Sequence, residues 1–177
     1  VNQGTKASTA TGINYSFQTL TATIGSLNAG ANNVALSPLT GGATGQAIFG
    51  FSLSSNGNQT VSTLSVQCST NPVGKFTAYS LVQSVDADFA TTGDNSVVAV
   101  ASITPSPTQI QINPLSALNI SNTTKNLFLL VTVDPTVSAV TPNIQGSLAA
   151  ANFTVNQGTK TGTATGVNYN FAALTAT

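Results

Sequence analysis

Histidine, glutamate, methionine and tryptophan do not occur in this chain of 177 residues, and cysteine occurs once. Charge is nearly as scarce: Lys6, Lys75, Lys125 and Lys160 are balanced by Asp86, Asp88, Asp94 and Asp134, for a net charge of zero. General acid–base chemistry near neutral pH depends on His, Glu, Asp, Lys or Cys gathered together, and that stock is almost empty. The expectation is therefore a chain that is not an enzyme. No set of Cys and His ligands can be assembled for zinc, and Cys68 alone cannot close a disulfide within the chain. Four scattered lysines on a neutral chain create no field to draw in phosphate, which excludes a nucleic-acid footprint. No apolar run approaches the ~20 residues that a membrane-crossing helix needs, so no membrane span is expected in this segment. The first residue is Val, and the sequence reads as a piece of a longer polypeptide whose export signal lies outside it.

What is present is a repeat. Val1-Asn2-Gln3-Gly4-Thr5-Lys6 returns as Val155-Asn156-Gln157-Gly158-Thr159-Lys160, an offset of 154 residues. Continued to Thr177, the alignment gives 23 pairs that differ only at Ala7/Thr161, Ser8/Gly162, Ile13/Val167, Ser16/Asn170, Gln18/Ala172 and Thr19/Ala173, so 23 less 6 leaves 17 identities. Solenoid repeats of about 20 to 50 residues cannot bury a core alone, whereas a 154-residue unit is a whole domain. The parent protein is expected to carry tandem copies. Residues 1–23 then correspond to the end or linker of a preceding repeat, 24–154 form the repeat unit, and 155–177 hold the end of its final strand and the start of the next copy. Within 4–23 and 158–177, Ile13, Tyr15 and Phe17 alternate, as do Val167, Tyr169 and Phe171. That alternation favours a strand or docking segment over an exposed linker.

Strand signals run through the interior. Ala47, Phe49, Phe51 and Leu53 alternate with small polar residues, and so do Leu64, Val66 and Cys68. Lys75–Leu81, Ser96–Ile103, Thr108–Ile112 and Ile144–Val155 are further strand candidates. Asn126–Val133 is apolar on both faces and is expected to be central. Turn clusters such as Ser55-Asn56-Gly57-Asn58, Asn71-Pro72-Val73-Gly74 and Thr104-Pro105-Ser106-Pro107 separate these runs. No helical periodicity of useful length competes. The fold class expected is all-β: an antiparallel β-sandwich of the immunoglobulin-like or Greek-key type. Ser and Thr make up 47 of the 177 residues, which explains how so few charges still leave a wettable surface.

The order of AIFGFSLSSNGNQTVSTLSVQCST, VGKFTAYSLV and IQINPLSALNISNTTKNLFLLVTVDPTVSAVTPNIQGSLAAANFTV resembles the BNR-repeat neck-type module of secreted Bacteroidota proteins. Leu118 to Leu130 matches that module's strand of leucine, turn, asparagine, aromatic and aliphatic residues, and Ala139 and Ile144 to Val155 match its closing run. The likeness covers roughly 43–155, consists of packing and turn residues, and carries no catalytic residue across. It implies an all-β accessory domain on a large exported protein, like the tandem repeats of giant surface adhesins. The leading Thr/Ala/Gly segment has no counterpart in it.

One candidate metal site stands out. Asp86, Asp88 and Asp94 lie in SVDADFATTGDN, and such oxygen-rich loops can bind calcium. The helix-loop-helix calcium pattern fails, because Ala90 occupies a ligand position and no Glu closes the loop. A sandwich-type site could use the three aspartates with backbone carbonyls, and the competing reading is three solvated turn residues. Asp134 before Pro135 reads as a turn start, and Cys68 as a small core hydrophobe. No other cofactor is expected. Thr161, Thr163 and Thr165 form one short threonine row, too little for an ice-binding array.

These features point to a non-catalytic stalk repeat of a large bacterial surface adhesin or filamentous surface protein, extracellular and partnered by neighbouring copies of itself. Any surface or glycan ligand would be held elsewhere in the parent. The alternative is a self-assembling filament or sheath subunit joined by β-strand addition through Gly4–Phe17 or Gly158–Phe171. A carbohydrate-binding module lacks support, since Tyr15, Tyr79 and Tyr169 are the only tyrosines and Trp is absent.

Overall fold

The computed structural model describes residues 13, 16, 18–28, 34–35, 37–90 and 92–174. Among them are twelve strands and no α-helix. The strands are β1 (Thr21–Ser26), β2 (Gln46–Ser55), β3 (Gln59–Cys68), β4 (Phe76–Ser84), β5 (Ser96–Val97), β6 (Val100–Ser106), β7 (Gln109–Pro114), β8 (Leu118–Ile120), β9 (Lys125–Val133), β10 (Ile144–Ala149), β11 (Phe153–Val155) and β12 (Thr159–Tyr169). They hydrogen-bond in the order β5-β4-β9-β2-β1-β12-β10-β3-β7-β6, with β8 and β11 also paired to β3. All pairs are antiparallel except β1 with β12, so the sheet is mixed rather than wholly antiparallel.

The longest apolar run behaves as its composition requires. In β9, Leu127, Phe128, Leu129, Val131 and Val133 are all buried, and the strand is flanked by β2 on one side and β4 on the other. The alternating runs form β2 and β3, with Phe49, Phe51 and Leu53 buried in the first and Val61, Leu64 and Val66 in the second. One core cluster gathers residues from both ends of the strand order. Phe49 of β2 makes the join: a Cβ added at Gly146 or Gly166 would lie 3.2 or 2.9 Å from its ring. The glycines of β10 and β12 thus leave room for an aromatic ring from the opposite half.

Two expected strands are broken. Ser96–Ile103 splits because the chain changes partner there. Ser96 and Val97 pair with β4, Val98 N–H donates to Leu81 O at 2.8 Å, and β6 then pairs with β7. Ile144–Val155 is interrupted by a single 3₁₀ turn at Ala150–Asn152, where Ala149 N–H donates to the Asn152 side chain at 3.2 Å. Strand β12 is legible in sequence only at its aromatic end. It lies in the middle of the strand order, and with β1 it carries the described elements beyond 24–154 on both sides.

Candidate functional site

The repeated segment builds the feature that most distinguishes this domain. Small and apolar residues of β12 face inward at Ala164, Gly166 and Tyr169, followed by Phe171, while Thr159, Thr161, Thr163 and Thr165 face outward. Tyr169 and Phe171 are 1% and 2% exposed, which makes them anchors of the core. The Tyr169 hydroxyl donates to Ala35 O at 3.0 Å, and burial raises its pKa. Phe171 stacks obliquely on Phe76, their centroids 6.4 Å apart, and bridges to Leu39, whose N–H donates to Asn170 O at 2.9 Å. Lys160 donates to Phe153 O at 2.6 Å and lies 5.4 Å from the centre of that ring, so its charge is held against β11.

The other edge of β12 runs alongside β1 in parallel register, with Thr21 opposite Thr159, Ala22 opposite Lys160, Thr23 opposite Thr161 and Ile24 opposite Gly162. Thr159 N–H donates to Leu20 O at 2.8 Å. Two glycines keep this seam tight. Gly158 has φ +79° and Gly162 φ +88°, a region open to glycine at no steric cost. A Cβ at Gly158 would lie 2.3 Å from Leu20 O, and one at Gly162 would lie 2.2 Å from Ile24 O. Neither position has space for any other residue.

Parallel pairing fixes the direction of the chain through the domain. Thr21 and Thr159 mark one end, and Phe171 follows twelve residues after Thr159, two past the end of β12. At about 3.3 Å per residue, a fully extended run of that length would span at most ~40 Å. By the offset of 154, Ala172, Ala173 and Leu174 stand where Gln18, Thr19 and Leu20 stand before β1. Between the core anchor Phe171 and the position equivalent to the start of β1 there are three residues.

The structure places the candidate metal residues in the loop after β4, and each serves that loop's backbone. Asp86 Oδ1 accepts from Asp88 N–H at 2.9 Å and from the Ser84 hydroxyl at 3.0 Å. Asp88 Oδ1 accepts from Ala90 N–H at 2.9 Å, and Asp94 Oδ2 from Val85 and Asp86 N–H, both at 3.1 Å. Buried Asp94 Oδ1 and Asn95 Oδ1 lack a partner. Among the described residues no group of three or more His, Cys, Asp or Glu side chains is placed to hold a metal. Asp134 caps its turn by accepting from Thr136 N–H at 2.8 Å and the Thr136 hydroxyl at 2.6 Å, contacts that lower its pKa.

Cys68 is half-buried against the core, with Sγ 3.7 Å from Val66 O, and burial pushes its thiol up to about 11 against a smaller opposing pull from Lys75. Lys75 is a buried cation that the sequence did not single out. It donates to the Thr70 hydroxyl at 2.7 Å and to Asn71 O at 2.9 Å, and loss of water lowers its pKa. A cleft of about 460 Å³ between β3, β8 and the start of the repeated segment is lined by Asn58, Gln59, Thr60, Asn119, Ile120, Ser121 and Asn156. Apart from Ile120 its lining is amide and hydroxyl, without a titratable group. Tyr15 lies outside the described residues, while Tyr79 is partly buried with a partnerless hydroxyl. With Tyr169 in the core, neither described tyrosine offers an open stacking platform.

No protein-family model matches the chain, and no curated protein matches it. Solved structures similar to it include a DUF4466 family protein from Parabacteroides merdae, at 12% identity and a TM-score of 0.43 over 86% of this chain and 44% of that one. A family 123 glycoside hydrolase from Clostridium perfringens, studied for glycolipid glycan hydrolysis, gives 16% identity and a TM-score of 0.39 over 90% of this chain and 28% of the enzyme. AvmM, which catalyses macrocyclization in alchivemycin A biosynthesis, gives 10% and 0.38 over 82% and 92%. The chain spans less than half the length of the first two.

Proposed function

We propose that this chain is a non-catalytic spacer repeat of a large, extracellular bacterial surface adhesin or filamentous surface protein, joined in tandem to copies of itself. The observation that carries the reading is the parallel β1–β12 seam. Because the first and last strands are neighbours running the same way, the chain comes in at one end and goes out at the other. Each unit therefore adds its own long dimension, about 40 Å, to the parent. In this reading the two halves of the strand order are the layers of a β-sandwich, packed through Phe49 against Gly146 and Gly166 and hinged at β12. The BNR-neck resemblance belongs to the same proposal.

The repeated segment supports a revised unit. By the offset of 154, Val1–Phe17 matches in sequence the run Val155–Phe171 that closes this domain; Leu20 to Phe171 is one domain, and Ala172–Leu174 is the joint to the next. A three-residue joint restricts how far successive units swing. Tension along the array would load the β1–β12 hydrogen bonds together, in shear. Strand addition through Gly158–Phe171 has less in its favour, since that segment is already β12 of its own domain. The terminal strands of the sheet are also poor templates: β5 has two residues, and Pro105 in β6 lacks an N–H.

Small-angle scattering on chains of one, two and three repeats tests the spacer. The maximum dimension should grow by about 40 Å for each added unit, and a compact particle that fails to lengthen would overturn the proposal.

A further inference from the structure

We propose that successive units dock pole to pole: the loops around Phe171 of one copy seat directly on the turns around Leu20 of the next, with no unattached residue between them. The inference rests on the tandem reading and goes beyond it, since loosely strung units would lengthen the parent as well. Backbone hydrogen bonds fix the joint from both sides. Its last bond to the domain before it runs from Ala172 N–H to Leu39 O at 2.9 Å. Its first bonds to the domain after it are given by the equivalent residues ahead of β1. There the Asn56 side-chain N–H donates to Thr19 O at 3.0 Å, and Thr159 N–H donates to Leu20 O at 2.8 Å. At the offset of 154, Thr19 and Leu20 stand for Ala173 and Leu174. One copy thus holds the chain at the nitrogen of 172, and the next holds it at the carbonyl of 173. These are main-chain contacts at the joint, so the Thr19/Ala173 difference leaves them intact.

Leu174 marks the same boundary with its side chain, which is 60% exposed. Its counterpart Leu20 packs over two glycines: a Cβ at Gly57 would lie 2.5 Å from Leu20 Cδ2, and one at Gly158 would lie 2.9 Å from Leu20 Cβ. A following copy offers Leu174 the same notch. With Phe171 buried in one core and Leu174 seated on the next, three Cα steps, at most about 11 Å, separate the two anchors. That span leaves no room for a flexible tether, so the two poles abut.

The exit surface is built from two loops, 69–75 between β3 and β4 and 134–143 between β9 and β10. Asp134 N–H to Lys75 O at 2.9 Å and the Thr70 hydroxyl to Asn143 O at 2.5 Å tie the loops together. They lie at the Phe171 end, because Phe76 stacks on Phe171 and Ile144 pairs with Tyr169. A pocket of about 400 Å³ opens between them, and Val73 and Val140 stand out from them, 50% and 92% exposed. The entry surface consists of the turns at 56–58, 121–124 and 156–158 around the amide-lined cleft. Those turns carry no charged side chain. On the exit loops, Lys75 is already buried and bonded to Thr70 and Asn71, and Asp134 is engaged with Thr136. Stripping water from charge, the usual cost of bringing two surfaces together, is therefore small here.

Backbone amide relaxation by NMR tests this on the full chain and on a two-unit chain in which residues 1–174 run directly into a second stretch of residues 21–177. A docked pair tumbles as one body, so both units should share one correlation time, longer than that of the single chain by about twofold or more. Val73→Asp with Val140→Asp in the first unit should part the surfaces without altering the joint and bring the value back towards that of the single chain. In the single chain the same two substitutions should leave the melting temperature within about 3 °C of wild type, because both positions are open to water. Should the pair unsettle the single chain, Val140→Asp alone replaces it. Independent tumbling of the unmodified two-unit chain overturns the proposal, and so does a shared correlation time that the aspartates leave unchanged. Loosely strung units would still lengthen with each copy, so failure here is separate from failure of the spacer.

Discussion

Thr21 and Thr159 lie side by side at one end of the domain, their hydroxyls 3.0 Å apart, although 138 residues separate them in sequence. Their register runs for four residues, to Ile24 against Gly162, after which β12 continues beside β10. Pulling on Leu20 and Ala172 should therefore load the seam in shear. Pulling on Leu20 and Asn56, which sit at the same end because Thr21 N–H donates to the Asn56 side chain at 2.8 Å, should peel β1 from β2 bond by bond. Single-molecule force spectroscopy should record the higher unfolding force in the first geometry. Equal forces would deny the seam its mechanical part.

The closing strand is anchored by Tyr169 and Phe171. Phe171→Ala should cost about 3–5 kcal/mol, because a fully buried ring is lost and its cavity against Phe76 and Leu39 cannot collapse freely. Tyr169→Phe keeps the ring but strands Ala35 O, for about 1 kcal/mol. Chemical denaturation of the two variants should rank them in that order with unchanged m-values.

Alkaline titration should weaken the fold in two stages. The Cys68 thiol is raised to about 11 and the Tyr79 phenol to about 12, chiefly by burial, so the folded state holds both protons more tightly than the unfolded state. Stability from each group is complete below its unfolded pKa and is lost as pH climbs from there through the folded value. The loss should run from about pH 9 to 11 for Cys68 and from about pH 10 to 12 for Tyr79. Lys75, lowered by desolvation, works in the opposite direction. Cys68→Ala should flatten the first stage, and the native thiol should resist disulfide reagents at about pH 7.5 until the protein unfolds.

In the loop after β4, the aspartates already hold the backbone. A chelator should leave the melting curve where it is, and Asp94→Ala, which strips two backbone N–H groups of their acceptor, should reduce stability by about 1–2 kcal/mol. A calcium-dependent rise in melting temperature would instead put an ion beside Asp94 and Asn95.

The strands with large alternating residues could be read directly: Phe49, Phe51 and Leu53 in β2 announce a buried face, and the apolar run of β9 announces a strand covered on both sides. Strand β1 gives a weaker signal, since its inward residues are only Ala22 and Ile24. In β12 the inward positions before Tyr169 are Ala164 and Gly166, because Phe49 supplies the bulk from the other half. A glycine that makes room for a distant ring looks like a linker residue until that ring is placed. The repeat itself was visible as identity of letters, and it located the candidate site. The need for glycine at 158 and 162 was not, because a positive φ and an approaching carbonyl are properties of the parallel register. Turn chemistry showed the aspartates as loop residues, while the burial of Lys75 follows from how the Thr70–Asn71 turn wraps its ammonium.

The place of β12 between β1 and β10 has a bearing on how the polypeptide is made. Its residues are the last of the domain to be synthesised, yet they belong at the centre, so the two flanking strands have no common neighbour until translation of the unit is finished. Pairing across so much sequence is slow to form. A unit of this kind stays open until its tail is free and becomes compact only then, so closure of the core waits on the last strand made.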